Sequence, residues 1–190
     1  MKRFRVLSII IIGSTIFCSR VIDTNHIMSA AAIINKELAT STKVVNKESI
    51  KLYNVKRIID GDTILINYGN KDEKIRLIGV NTPESVDPRK KVECFGKEAS
   101  LYTKNLLENK KVRIEFDESQ GRRDKYKRLL AYVFRDDNLF VNKAIIENGY
   151  GYEYTYIHSY KYQDNFKKMQ WNASSQKKGL WADGACSNIN

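Results

Sequence analysis

Between Tyr53 and Phe134 the chain repeats one pattern five times: short runs in which apolar and polar residues alternate with period two. The runs are Tyr53 to Ile59, Thr63 to Tyr68, Lys74 to Val80, Val112 to Phe116 and Arg128 to Phe134. Successive side chains of a strand point to opposite faces, so each run reads as a strand with one face toward a core. Turn-forming residues at Asp60-Gly61, Gly69-Asn70 and Asp136-Asp137-Asn138 separate them. Helical spacing appears three times. Ala99, Tyr102 and Leu106 form one face of a helix ending near Asn109, and Val141, Ala144, Ile145 and Asn148 form a second, stopped by Gly149. Phe166, Met169, Gln170 and Ala173 form a third, ending before Gly179. Strands that do not alternate regularly with helices argue against a doubly wound parallel sheet. The pattern predicts an α+β fold: a five-stranded oligonucleotide-binding (OB) barrel with three helices.

The 190 residues leave room for one such domain and a terminal extension, and 42% hydrophobic residues suffice for its core. Lys2, Arg3 and Arg5 precede an apolar run from Val6 to Cys18, the layout of a secretory signal and too short for a spanning helix. Small residues Ser29 to Ala32 offer a cleavage site, so residues 1–31 read as a signal peptide, with an uncleaved anchor as the alternative. Acylation at Cys18 ranks lower, because Phe17 stands where a small residue belongs. Residues 32–50 are polar and unpatterned and read as a linker, 51–186 as the domain and 187–190 as a tail. The expected location is secreted or extracellular, or membrane-anchored through the N-terminus.

Export bears on the cysteines. Removal of Cys18 with the signal leaves Cys94 and Cys186, an even pair in a compartment where disulfides persist. A bridge between them is expected; two unrelated thiols are the alternative. The formal charge of +11 favours polyanionic partners, nucleic acid or an anionic membrane surface, and does not by itself choose between them.

Chemistry concentrates around three residues: Glu84, Arg76 and Arg128. On the strand periodicity Arg76 shares a face with Ile78 and Val80, and Arg128 with Leu130, Tyr132 and Phe134. A guanidinium on a semi-apolar face needs an anion, either a protein carboxylate or a ligand phosphate, and periodicity does not decide which. The turn Asp60-Gly61-Asp62-Thr63 is by itself an ordinary acidic hairpin. The second oxygen-rich cluster, Asn81-Thr82-Pro83-Glu84, follows the strand that carries Arg76 and changes that reading. Oxygen donors without thiol or imidazole partners suit a hard cation, Ca²⁺ or Mg²⁺, better than zinc, and His26 and His158 are the only histidines.

Three motifs in order, Asp60-Gly61-Asp62-Thr63, Arg76 to Glu84 (RLIGVNTPE) and Asp124 to Tyr132 (DKYKRLLAY), are joined by Glu93 to Ala99 (ECFGKEA). Over Val55 to Trp181 the chain resembles the thermonuclease, or staphylococcal-nuclease-like, family. The resemblance implies a calcium-dependent phosphodiesterase on an oligonucleotide-binding barrel, cutting DNA or RNA with low sequence specificity and leaving 3′-phosphate ends. It implies that Asp62, the Asn81 side chain and the Thr82 backbone carbonyl ligate calcium. By the same resemblance Glu84 is the general base, Arg76 and Arg128 grip the phosphate, and Lys125 and Tyr126 bind substrate. Asn81 stands where the best-known members carry an aspartate, which predicts weak calcium binding, about 10⁻⁴ to 10⁻³ M.

Two features remain. Tyr150, Tyr152, Tyr154 and Tyr156, continuing through Tyr160 and Tyr162, either cover the barrel core, the favoured reading, or line up as a stacking platform for bases. Basic clusters at Arg89-Lys90-Lys91, Lys110-Lys111, Arg122-Arg123 and Lys177-Lys178 suit a polyanion held without sequence readout. The competing functions are a binding module that keeps the barrel without catalysis and a membrane-tethered interaction protein. No stable protein partner is expected, and a monomer is the default.

Overall fold

The computed structural model describes residues 50–89 and 91–186. The expected signal, the linker except Ile50, and the tail lie outside the described residues. The elements are β1 (Tyr53–Asp60), β2 (Thr63–Tyr68), β3 (Lys71–Leu77), β4 (Val80–Asn81), α1 (Gly96–Leu107), β5 (Lys111–Glu115), β6 (Leu129–Arg135), α2 (Val141–Glu147), β7 (Tyr152–Glu153) and α3 (Gln163–Ser175). Short 3₁₀ turns occupy Glu118–Gln120 and Gly179–Trp181.

Five strands close into a barrel in the order β1-β2-β3-β6-β5, as the periodicity predicts. All pairs are antiparallel except β3 with β6, where Ile75, Arg76 and Leu77 lie opposite Leu129, Leu130 and Ala131. Closure removes the exposed edges that an open sheet would present. Ile64 and Ile66 of β2, Ile75 and Leu77 of β3, and Leu129, Ala131 and Val133 of β6 are buried at every second position. Tyr132, on the opposite face of β6, is also fully buried, against Phe140, Tyr162 and Phe166. Both faces of β6 are thus covered, one by the barrel interior and the other by aromatic rings between the barrel and α3.

The third strand differs from expectation. It ends at Leu77, and Val80–Asn81 form a separate two-stranded ladder with Tyr152–Glu153. The break falls at Gly79, whose φ of 74° is costly for other residues, and where a Cβ would approach the Tyr160 ring to 2.7 Å. Buried Asn142 secures the bend: Val133 N donates to its Oδ1 at 2.9 Å, and its Nδ2 donates to Ile78 O at 2.8 Å. Arg76 therefore does not share a strand face with Ile78 and Val80. Arg128 likewise precedes β6 and belongs to a turn.

The tyrosine run is not one face. Only Tyr152–Glu153 is extended in a ladder. Tyr150 stacks on Tyr102 with ring centroids 4.0 Å apart, and Tyr160 and Tyr162 pack on Phe166, as the core reading expects. Tyr154 and Tyr156 are instead 43% and 66% exposed. Cys94, just before α1, is bridged to Cys186, with Cα atoms 5.6 Å apart.

Candidate functional site

The β1–β2 turn sets the floor of the site. Asp60 and Asp62 are both buried at its two ends, and α1 holds the turn through a 2.6 Å hydrogen bond from Thr103 Oγ1 to Gly61 O. A Cβ on Gly61 would stand 2.7 Å from Thr82 Oγ1, so the turn and the segment after β4 approach in a way only glycine allows. Across this contact Thr82 N donates to Asp62 Oδ2 at 3.1 Å.

Arg76 closes the same corner from β3. Its Nη2 lies 3.0 Å from Asp62 Oδ2 and donates to Asn81 Oδ1 at 3.1 Å, while Nη1 donates to the carbonyls of Leu77 and Val80. Burial lowers the Arg76 pKa, the Asp62 carboxylate opposes that, and nearby Arg128 lowers it further. The guanidinium remains charged and fixed by four contacts to oxygen, on Asp62, Asn81, Leu77 and Val80.

Arg128 comes from a tight turn whose shape Asp124 dictates. Asp124 Oδ1 accepts from the backbone N–H of Tyr126 and of Arg128, both at 2.9 Å, and Lys127 sits at φ 64°. Arg128 Nε donates to Asp124 Oδ2 at 2.6 Å, and Nη1 donates to Thr63 Oγ1 at 3.3 Å. Thr63 Oγ1 donates in turn to Asp62 Oδ1 at 2.9 Å. Both arginines therefore converge on Asp62, Arg76 directly on Oδ2 and Arg128 through Thr63 on Oδ1. Both also pair with a protein carboxylate. Among the described residues Arg128 Nη2 has no partner. Lys125 and Tyr126 form the rim: the Lys125 ammonium lies 5.1 Å and the Arg128 guanidinium 5.4 Å from the centre of the Tyr126 ring, which is 65% exposed.

Glu84 is held by its surroundings rather than by the arginines, and among the described residues no arginine forms an ion pair with it. Its Oε1 accepts from Val86 N at 2.8 Å and Asp87 N at 3.0 Å. Burial raises its pKa, but the backbone N–H groups of Val86, Asp87 and Ser85 outweigh that and hold it below the ordinary glutamate value. Its backbone is clamped as well: Glu84 N donates to Glu93 Oε2 at 3.0 Å, and Glu93 N donates to Glu84 O at 2.8 Å.

In the sequence Asp60 stands out only as part of the acidic turn Asp60-Gly61-Asp62-Thr63, with no role of its own. Burial pushes its carboxyl up to about 6, against the hydrogen bonds from Ser85 Oγ at 2.6 Å and Gly61 N at 2.8 Å, and the charges of Asp62 and Glu84 add to the rise. Its burial, and the roles of Ser85, Glu93 and Thr103 in holding this region, depend on contacts between segments 25, 9 and 42 residues apart. No local pattern encodes those contacts.

The donor set fits a hard cation. Asp62 and Asn81 present oxygens to one nitrogen of Arg76, and the Thr82 backbone is tied to Asp62. Among the described residues no three His, Cys, Asp or Glu side chains gather into a metal-binding group, so amide and backbone oxygens must complete any shell. That composition suits calcium or magnesium and disfavours zinc.

Residues 74–183 match the family model described as "Staphylococcal nuclease homologue". The chain is similar to a thermonuclease of Staphylococcus hyicus, 37% identical over 169 residues that cover 85% of this chain and 98% of the relative. It is similar to a thermonuclease of Staphylococcus intermedius, 42% identical over 68% of this chain and 75% of that one. Endonuclease YncB of Bacillus subtilis (strain 168) is 39% identical over 72% of this chain and 65% of its own length. A family match over more than half the residues, joined to relatives of this identity and coverage, shows that the chain belongs to the staphylococcal nuclease homologue family.

Proposed function

We propose that the protein is an exported, calcium-dependent nuclease that hydrolyses phosphodiester bonds of DNA or RNA with low sequence specificity and leaves 3′-phosphate ends. The observation that carries this reading is the convergence of Arg76 and Arg128 on the two oxygens of Asp62. Family membership supports nuclease chemistry, and the charge of +11 suits a polyanionic substrate. Export rests on the N-terminal layout of residues 1–31, ahead of the linker 32–50 and the domain 51–186.

In this reading Asp62, the amide oxygen of Asn81 and the backbone carbonyl of Thr82 hold calcium. When bound, calcium neutralises charge on the phosphate and orients it. Arg76 and Arg128 place planar donors on the nonbridging oxygens, where negative charge builds in the transition state. Arg128 Nη2 and the Arg76 Nε–H, which have no partner among the described residues, are the donors available to do so. Glu84 is ionised at neutral pH; the N–H groups of Val86 and Asp87 fix its Oε1, and the carboxylate takes the proton from the attacking water. The 5′ oxygen leaves, and the phosphate stays on the 3′ side. Lys125 and Tyr126 hold a further substrate phosphate at the rim.

Incubation of the purified protein with single-stranded DNA, in calcium or in chelator, tests the reading. Cleavage only in calcium, with 3′-phosphate ends on the products, is expected. Intact DNA in calcium refutes it and favours a binding module.

A further inference from the structure

A cationic cleft leads away from the site along the outside of the barrel. Its upper part, about 270 Å³, is lined by Ile58, Ser85, Lys97, Ser100, Leu101 and Lys104. Its lower part, about 260 Å³, lies between Val55 to Ile58 of β1 and Lys104, Glu108 and Asn109 beyond. The two parts share Ile58 and Lys104 and so form one path. At the top stands Ser85, which donates to Asp60 and directly follows Glu84. From there β1 runs back from Asp60 while α1 runs forward, so the walls descend together over about 16 Å from Lys97 to Glu108.

The charge in this cleft is placed by the backbone. Neighbouring residues of a regular strand face opposite ways, yet Lys56 and Arg57 both line the cleft. The pairing of β1 with β2 shifts register between Val55 and Arg57, a bulge that turns both cations outward. Lys56 reaches Asp72 at 2.7 Å, and Lys104 meets Glu108 at 3.5 Å in an exposed pair that contributes little. Among the described residues Arg57 and Lys97 pair with no carboxylate. Four cations thus line a shallow path with one acid, Glu108, and Leu101, 56% exposed, gives it an apolar wall.

We infer that this β1–α1 cleft carries the substrate strand on the side of the scissile phosphate away from Lys125 and Tyr126, and that Arg57, Lys97 and Lys104 bind its backbone phosphates. The inference rests on the nuclease reading above and adds the route of the polymer. A shallow cationic path that begins at Ser85, beside Glu84, suits the extended polyanion that the nuclease reading already brings to this turn. The contacts go to phosphates, so they add affinity and salt dependence without sequence preference.

The test measures binding of labelled single-stranded DNA to the full chain by fluorescence anisotropy, in chelator so that the strand stays intact. Arg57→Glu with Lys97→Glu is compared with Lys167→Glu with Lys168→Glu, the same charge change on α3. The cleft variant is expected to lose about tenfold in affinity, and its salt slope to fall by about 1.4, roughly 0.7 for each lost phosphate contact. The α3 variant is expected to bind within about twofold of the native protein. Equal losses in both variants, or native affinity in the cleft variant, overturn the proposal. Loss of binding to phosphatidylglycerol vesicles with DNA affinity retained also overturns it, in favour of a membrane surface. Arg57→Ala with Lys97→Ala, which introduces no repulsion, must show the same order. Cleavage by the native protein in calcium is scored separately, so failure of the nuclease reading and failure of the cleft are distinguishable.

Discussion

Arg76 Nη2 stands 3.0 Å from Asp62 Oδ2, and the same nitrogen holds Asn81 Oδ1 at 3.1 Å. One cationic fork therefore orders both side-chain oxygens proposed for calcium. Because Asn81 is neutral, Asp62 is the only charged side chain in that ligand set, and Arg76 neutralises part of its field.

Asn81→Asp restores a second carboxylate beside the same nitrogen. Calcium affinity rises with ligand charge, so this variant is expected to bind calcium roughly tenfold more tightly than the native protein. Calorimetric titration without substrate reads both. Submicromolar binding by the native protein would contradict the weak-site reading.

Arg128→Lys keeps the charge and loses the fork. Nε bonds Asp124 and Nη1 bonds Thr63, leaving Nη2 as the donor proposed for the phosphate, and an ammonium cannot serve all three. A fall of about 10²- to 10³-fold in kcat is expected, the usual consequence of losing one preorganised donor to a developing oxyanion. Turnover near the native value would remove Arg128 from the transition-state contacts.

Asp60 makes the resting site unstable against pH. Its carboxyl titrates at about 6 in the fold against 3.8 ordinarily, so the folded state holds the proton more tightly than the unfolded chain. Stability from this group is therefore full below pH 4 and is lost as pH rises toward 6, by an upper value of about 3 kcal/mol. Asp60→Asn keeps an oxygen to accept from Ser85 and Gly61. In chelator it is expected to raise unfolding free energy by about 1 to 3 kcal/mol at pH 7.5, with the gain vanishing below pH 4. Urea unfolding at the two pH values measures it, and an equal gain at both would show that ionisation is not the cause.

Glu93 fixes the backbone from which Glu84 projects. Glu93→Ala frees Glu84 N and is expected to lower kcat about tenfold with KM little changed, since misplacement of Glu84 as the proposed base affects the chemical step. Glu93→Gln retains an accepting oxygen and should restore most of the rate. If both variants lose kcat equally, the carboxylate charge matters and not the hydrogen bond.

The barrel was legible because each strand interior is spelled locally: Ile64 and Ile66, or Leu129, Ala131 and Val133, recur at every second residue. The break at Gly79 was not, because RLIGVN preserves alternation through a bend that Asn142, more than 60 residues away, secures. The same bend put Arg76 on a face the periodicity misassigned. Asp62, Asn81, Thr82 and Glu84 were found as oxygen-rich clusters around turns. Their dependence on Ser85, Glu93 and Thr103 was not, since each of those residues acts through one cross-segment hydrogen bond. The tyrosine run divided for a similar reason: Tyr160 found a tertiary pocket against Phe166, whereas Tyr154 and Tyr156 did not.

The Cys94–Cys186 bridge encloses α1, β5, β6, α2, β7 and α3, with Arg128 inside the covalent ring and Asp62, Arg76 and Glu84 on the chain segment that precedes Cys94. A protease cut at exposed Arg122 or Arg123 would open that ring without freeing either piece, because the fragments stay joined through sulfur. The acid and both arginines would remain on one molecule, so such a nick leaves the halves of the site covalently joined.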